Sequence, residues 1–242
     1  MTHAIYAIWL RHMVKFLRNR EELGGLLIQP ILWVGLFGIG MGRMLSNQSD
    51  YASFMLPGIL ALTALGGAAG GGMMFLDERL RGIMREYMVA PIPRLSILLG
   101  HMMATLSKAF FQIIIVCLVG LAVGASLSLP VSMWFASIAA LVCFTLGFAG
   151  LALGVAMRSR SIMGYHGMIF LFNLPMLFAS NALYPLDAVP TWMQWLALCN
   201  PATWLIGVMR NDPQSMFYFG GLVVFAVLCT WFALRRFHTL TR

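Results

Sequence analysis

DERLRGIMREYMVAPIPRLSILLG, residues 77–100, is the only long polar segment that has an extended apolar run on each side. It carries seven charged residues: Asp77, Glu78, Arg79, Arg81, Arg85, Glu86 and Arg94. Asp77 and Glu78 precede Arg81 by four and three residues, the order in which acid and base stabilise a helix. Pro91 and Pro93 stop that helix, because the residue before a proline is pushed out of the α region. The segment therefore predicts a short charged surface helix, reaching to about Val89, that forms a rigid elbow between two membrane spans.

The rest of the chain sets the membrane context. Its 242 residues are 60% hydrophobic and only 10% charged, with a mean hydropathy of +0.84. Soluble domains carry about 25% charged residues, so the composition excludes a soluble fold and predicts an all-α polytopic membrane protein. Cys117, Cys143 and Cys229 lie in apolar runs and imply no disulfide framework. The nineteen methionines lack paired spacing and read as packing or lipid-facing residues rather than a soft-metal path. The first apolar run is too long for the core of a cleavable signal peptide.

Six apolar runs are long enough to cross a bilayer, at about 24–44, 54–76, 96–124, 131–157, 162–183 and 216–234. Arg11, Lys15, Arg18, Arg20, Arg79, Arg81, Arg85, Arg94, Arg158, Arg160, Arg235, Arg236 and Arg242 all fall on one side of these runs. That bias predicts six spans with both termini cytoplasmic. It also accounts for the net charge of +8, so nucleic acid is not an expected partner. Residues 1–22 form a basic amphipathic helix, with Ile5, Trp9, Met13, Phe16 and Leu17 on the arc opposite Arg11, Lys15 and Arg18, suited to the membrane interface. Residues 23–235 make the six-span bundle, and 236–242 a cytoplasmic tail.

In the second run, Gly66/Gly70 and Gly67/Gly71 have the small-xxx-small spacing that lets helices approach closely. The loop after the fifth run is rich in tryptophan. Pro190 suits the first turn of a short helix carrying Trp192, Trp195, Leu196 and Cys199 on one apolar face, and Asn200-Pro201 ends it. A second short helix runs from Ala202 to about Met209. This outer pair reads either as a gate over a pathway or as an interfacial anchor. Lys108 is the one basic residue well inside a run, one turn from Gln112. Together they read either as a polar stripe along a pathway or as a snorkelling and inter-helix hydrogen-bonding pair.

Catalytic and energy-coupling motifs are missing. The histidines His3, His12, His101, His166 and His238 have no zinc-ligand spacing, so no metal site is expected. Neither Lys15 nor Lys108 follows a glycine, so the chain has no phosphate-cradling loop of the Walker A type. No acidic residue lies deep in an apolar run, which argues against an ion-coupled carrier; a stand-alone channel or secondary carrier of small solutes is the competing reading. A membrane-embedded enzyme lacks a convergent catalytic set. Energy for uphill transport must enter from another protein.

Two motifs resemble the ABC-2 type exporter permeases. In the elbow the matching positions are Asp77, Arg79, Gly82, Arg85, Glu86, Ala90, Pro91, Arg94 and Gly100. In the outer loop they are Tyr184-Pro185-Leu186, Pro190, Trp192, Asn200-Pro201, Trp204 and Arg210. The resemblance covers the whole chain, nearest to the drug-resistance and nodulation-signal branch. It implies an exporter permease in the cell (inner or plasma) membrane that pairs with a second copy or a related permease and sits on a cytoplasmic ABC ATPase. It implies no cofactor on this chain, with ATP and Mg on the partner. The 77–94 segment, Glu78 and Arg81 included, would couple to the ATPase, the N-terminal helix would be the connecting helix beside it, and residues 184–210 would form re-entrant helices at the outer gate. The short link from Arg210 to Met216 departs from the family pattern.

Overall fold

The computed structural model describes residues 1–33, 35, 48–122, 131–186 and 189–240, and among them every regular element is helical. In chain order these are α1 (Thr2–Arg18), α2 (Arg20–Trp33), α3 (Gln48–Leu80), α4 (Ile83–Val89), α5 (Arg94–Ala122), α6 (Val131–Arg158), α7 (Ile162–Phe178), α8 (Thr191–Leu198), α9 (Pro201–Met209) and α10 (Ser215–Leu240). Four of them, α3, α5, α6 and α10, are long and apolar enough to cross a membrane. The fifth apolar run becomes α7, whose 17 residues are followed by a turn. The first run begins as α2 and continues into residues outside those described, and the 125–130 loop also lies outside them.

Small residues set the order of packing. A Cβ on Gly100 would stand 2.7 Å from Ile8 Cγ2, so α1 lies directly on α5. At Gly67 and Gly71 a Cβ would meet Ala109 at 3.2 Å and Thr105 Oγ1 at 2.0 Å, which seats α3 on α5. Gly72 lets α3 approach the backbone of Ala152 in α6. Nothing lies within 4 Å of Gly66 or Gly70, so only one of the two expected glycine pairs packs. A second stripe, Gly147, Gly150 and Gly154 on α6, receives Phe225, Cys229 and Phe232 of α10. The result is a row of helices, α1–α5–α3–α6–α10, with α7 and α9 packed across it.

Two features differ from the sequence reading. The apolar run ends at Leu76, but the helix does not: α3 continues to Leu80 and carries Asp77, Glu78 and Arg79 on the span itself. Hydropathy marks where apolar contact ends, whereas a helix stops where its hydrogen-bond ladder is broken. Here the break is Gly82, whose φ of +82° is left-handed and costs glycine nothing. The surface helix is therefore the shorter α4, which stops at Ala90, extended at φ −67°, ψ 143° ahead of Pro91. The second difference is the rotation of α1. Its inward face is Ile8, His12 and Phe16, while Leu17 is exposed. Packing against Gly100 and Phe111 of α5 turns the helix so that a histidine lies at the centre of its buried side.

Candidate functional site

The elbow forms a junction of four helices, and its charges divide into inward and outward sets. Arg79 turns inward. Its Nη1 donates to Ala156 O at 3.2 Å and to Met157 O, and its Nη2 donates to Ser159 O at 2.5 Å. These are the last carbonyls of α6, where the helix dipole is negative and the backbone acceptors have no intrahelical donor. Glu78 also turns inward and is 2% exposed. Asp77 pairs with Arg81 across 2.8 Å, as the i, i+4 spacing predicts, and so braces the last turn of α3.

The outward set is Arg85, Glu86, Met88, Val89, Pro91 and Arg94, all exposed. Val89, an apolar residue, is 87% exposed. On its inner side α4 buries Met84 in the core shared by α3, α5 and α6. Tyr87 accepts a hydrogen bond of 2.5 Å from Arg11 Nη1, which ties the elbow to α1. Burial, reinforced by the charge on Glu78, raises the Tyr87 phenol above its usual range and keeps it neutral. Of the ten residues assigned from sequence to coupling, Glu78 and Arg79 hold the junction together, Gly82 shapes it, and Arg85, Glu86, Pro91 and Arg94 face outward.

A third group was not visible from sequence. His12 of α1, Glu78 of α3 and His101 of α5 meet inside the junction, at 1%, 2% and 0% exposure. His101 Nε2 lies 3.3 Å from Glu78 Oε2, and His12 Nε2 lies 3.8 Å from Oε1. Burial, with His101 as the next contribution, lowers the His12 pKa to about 3, so its imidazole is neutral. No sequence spacing relates residues on three separate helices. The available hint was that His12 follows Ile8 and precedes Phe16 at four-residue intervals.

Lys108 and Gln112 part company. Lys108 is buried under α1, with Nζ 4.8 Å from the centre of the Phe16 ring and 3.6 Å from Met74 Sδ. Gln112 lines a cleft of about 340 Å³ between α2, α3, α5 and α7, together with Thr63, Gly66, Asn173, Phe170 and Phe178. Its walls are mostly apolar with a few amide and hydroxyl groups, the chemistry of a small-molecule pocket.

At the other end, Asn200 joins two helices. Its Oδ1 accepts from Ala202 N at 2.9 Å, capping α9, with Pro201 in the first turn. Its Nδ2 donates to Ala179 O at 2.9 Å and Met176 O at 3.2 Å, closing the end of α7. Tyr184 also donates to Phe178 O, and Trp204 Nε1 donates to Leu198 O at 2.7 Å. Leu186 follows Pro185 in a short turn, and Pro190 is the N-cap of α8. Trp192 and Trp195 of α8 are 64% and 71% exposed, whereas most of α9 is buried. Arg210 locks the end of α9 to α3 by donating to Phe54 O at 2.8 Å. Replacing Asn200 with alanine removes the cap and leaves the α7 carbonyls without their donor. The expected loss is about 2 kcal/mol, read as a fall in thermal midpoint of the protein in nanodiscs.

A family model described as ABC-2 type transporter matches residues 3–212. The chain belongs to that family. Among its relatives, ycf38 of Cyanophora paradoxa, named as a transport permease, is 30% identical over 215 residues, covering 85% of this chain and 72% of ycf38. The inner membrane transport permease YadH of Escherichia coli K12 is 25% identical over 252 residues, covering 96% and 95%. YbhR of the same organism, named as a multidrug ABC transporter permease, is 28% identical over 158 residues, covering 63% of this chain and 41% of YbhR. This ABC-2 chain is therefore a multi-pass transport permease of an ABC transporter, a membrane component rather than the ATPase.

Proposed function

We propose that this ABC-2 permease is the membrane subunit of an ATP-driven exporter, assembled as a pair of permeases on a separate ATPase. One observation carries the reading: the elbow helix α4 presents Arg85, Glu86 and the 87%-exposed Val89 outward, while Met84, Tyr87 and the turn at Gly82 fix it to three long helices. A displaced α4 moves α1 through Tyr87–Arg11, α3 through the two-residue turn, and α5 through the Pro91–Pro93 link. The missing Walker A lysine supports an external source of ATP hydrolysis. The Lys/Arg distribution supports six spans with the elbow and both termini in the cytoplasm of an inner-membrane protein. The apolar cleft supports a lipophilic or amphipathic cargo, and the exposed apolar faces of α7 and α10, among them Phe170, Leu171, Val227 and Leu228, suit lipid or a second permease.

The test is co-expression with a candidate ABC ATPase subunit. Val89→Asp places a charge in the proposed apolar contact. The expected result is at least tenfold lower recovery of the ATPase with the permease, about 1.4 kcal/mol of lost affinity, with unchanged permease yield. Undiminished co-purification and transport by Val89→Asp and by an Arg85→Glu/Glu86→Arg double variant would remove α4 as the coupling element.

A further inference from the structure

We propose that His12, Glu78 and His101 form a buried site for a divalent transition metal, with Zn2+ the best chemical fit, that clamps α1 to α3 and α5. The sequence carries no zinc-ligand motif, so the site exists only through the packing of the three helices. Their ligand atoms all lie within 4.8 Å of one another. A zinc ion bonded at about 2.0–2.1 Å in tetrahedral geometry separates its ligand atoms by about 3.4 Å. The carboxylate–imidazole separations are 3.3 Å to Oε2 for His101 and 3.8 Å to Oε1 for His12, and with all three ligand atoms within 4.8 Å of one another, side-chain movements of about an ångström would close the site around one ion.

The unpaired atoms point the same way. Both ring nitrogens of His12, both of His101, and Glu78 Oε2 are buried without a hydrogen-bond partner. A buried polar atom without a partner costs about 1–3 kcal/mol. Here two imidazoles face one carboxylate through their Nε2 atoms in a pocket walled by Phe75, whose ring meets His101 edge-on at 5.1 Å. Two imidazoles and a carboxylate form a common zinc ligand set, and three protein ligands leave a fourth position for water. Among the described residues, the arginine paired with Glu78 is Arg11, whose Nη2 is 3.9 Å from Oε1. Its side chain is 46% exposed and already donates to Tyr87, so it can turn outward when a metal takes the carboxylate.

The experiment uses the full chain, purified in nanodiscs through a tag without histidine from zinc-supplemented medium. Metal is counted by inductively coupled plasma mass spectrometry, and the chelator-stripped protein is titrated with Co2+ alone. The expected results are zinc stoichiometric with the chain and a visible d–d spectrum on Co2+ addition, abolished by excess Zn2+. Glu78→Gln and His101→Asn should each weaken Co2+ binding by at least about 10–100-fold, the range that even an outer-shell change costs. Replacing the exposed His3, His166 or His238 should leave it unchanged. His101→Cys, which retains a ligand, should keep the metal and add a sulfur-to-cobalt charge-transfer band. A wild-type protein with no zinc and a featureless Co2+ titration overturns the proposal, whatever the folding of the variants. So does a cobalt spectrum that survives the His12→Asn/His101→Asn pair.

Discussion

Gly150→Leu is expected to separate α10 from α6 and to abolish recovery of a monodisperse protein. A Cβ at this position would stand 2.8 Å from the carbonyl carbon and oxygen of Cys229 and 2.9 Å from Thr230 N. All three are backbone atoms, so no rotamer change can make room. At Gly154 the obstructing group is the ring of Phe232, which can turn aside, and at Gly147 it is the ring of Phe225, with the Ala226 Cα farther off at 3.1 Å. The smaller Gly150→Ala should cost about 1–3 kcal/mol by overpacking, and leucine more, because the whole of α10 must retreat from the close approach that small residues allow between membrane helices. Thermal unfolding in nanodiscs and size-exclusion profiles measure both. Gly70→Ala is the matched control: nothing lies within 4 Å of it, and removing a helix-interior glycine should be neutral or stabilising by up to about 1 kcal/mol. Equal behaviour of the two variants would contradict the α6–α10 contact.

Arg79→Ala should be the most damaging of the elbow substitutions. It removes the donors to Ala156, Met157 and Ser159, residues 0%, 6% and 3% exposed, and leaves their carbonyls dry. A charge-assisted hydrogen bond contributes about 1.5–3 kcal/mol. Because the three share one side chain and do not add, the expected loss is about 3 kcal/mol. Arg79→Lys should recover only part of it, since a single ammonium cannot span three carbonyls. The outward Arg85→Ala should stay within about 0.5 kcal/mol. Denaturation midpoints of the three variants decide the matter. If Arg79→Ala and Arg85→Ala are equally stable, the inward role of Arg79 is wrong. The contrast separates two jobs that sequence alone assigned to one charged segment, holding the junction and meeting a partner.

Local chemistry made much of the molecule legible. Pro91, the pair Asp77/Arg81 and Asn200-Pro201 act within a turn of themselves, and each does in the structure what its residue type dictates. The outer helices fell within a residue of their expected bounds for the same reason. The α6 stripe at Gly147, Gly150 and Gly154 was present in the sequence at helical spacing, but the denser glycines of residues 65–72 drew the reading to α3. Glycine density alone does not tell which face meets a neighbour, and Gly66 borders the cleft instead.

The sequence by itself determined a helical multi-pass membrane protein, the concentration of its basic residues toward one end, and an elbow bounded by prolines. Hydropathy, charge and turn chemistry are properties of short stretches, and they constrain backbone state and environment directly. Only the tertiary structure decided where each elbow charge points: Arg79 onto the end of α6, Glu78 between His12 and His101, Arg85 and Val89 outward. That direction depends on the rotation of each helix about its own axis. The rotation is set by where a neighbour's glycine, distant in the chain as Gly100 is from Ile8, leaves room for a side chain to enter.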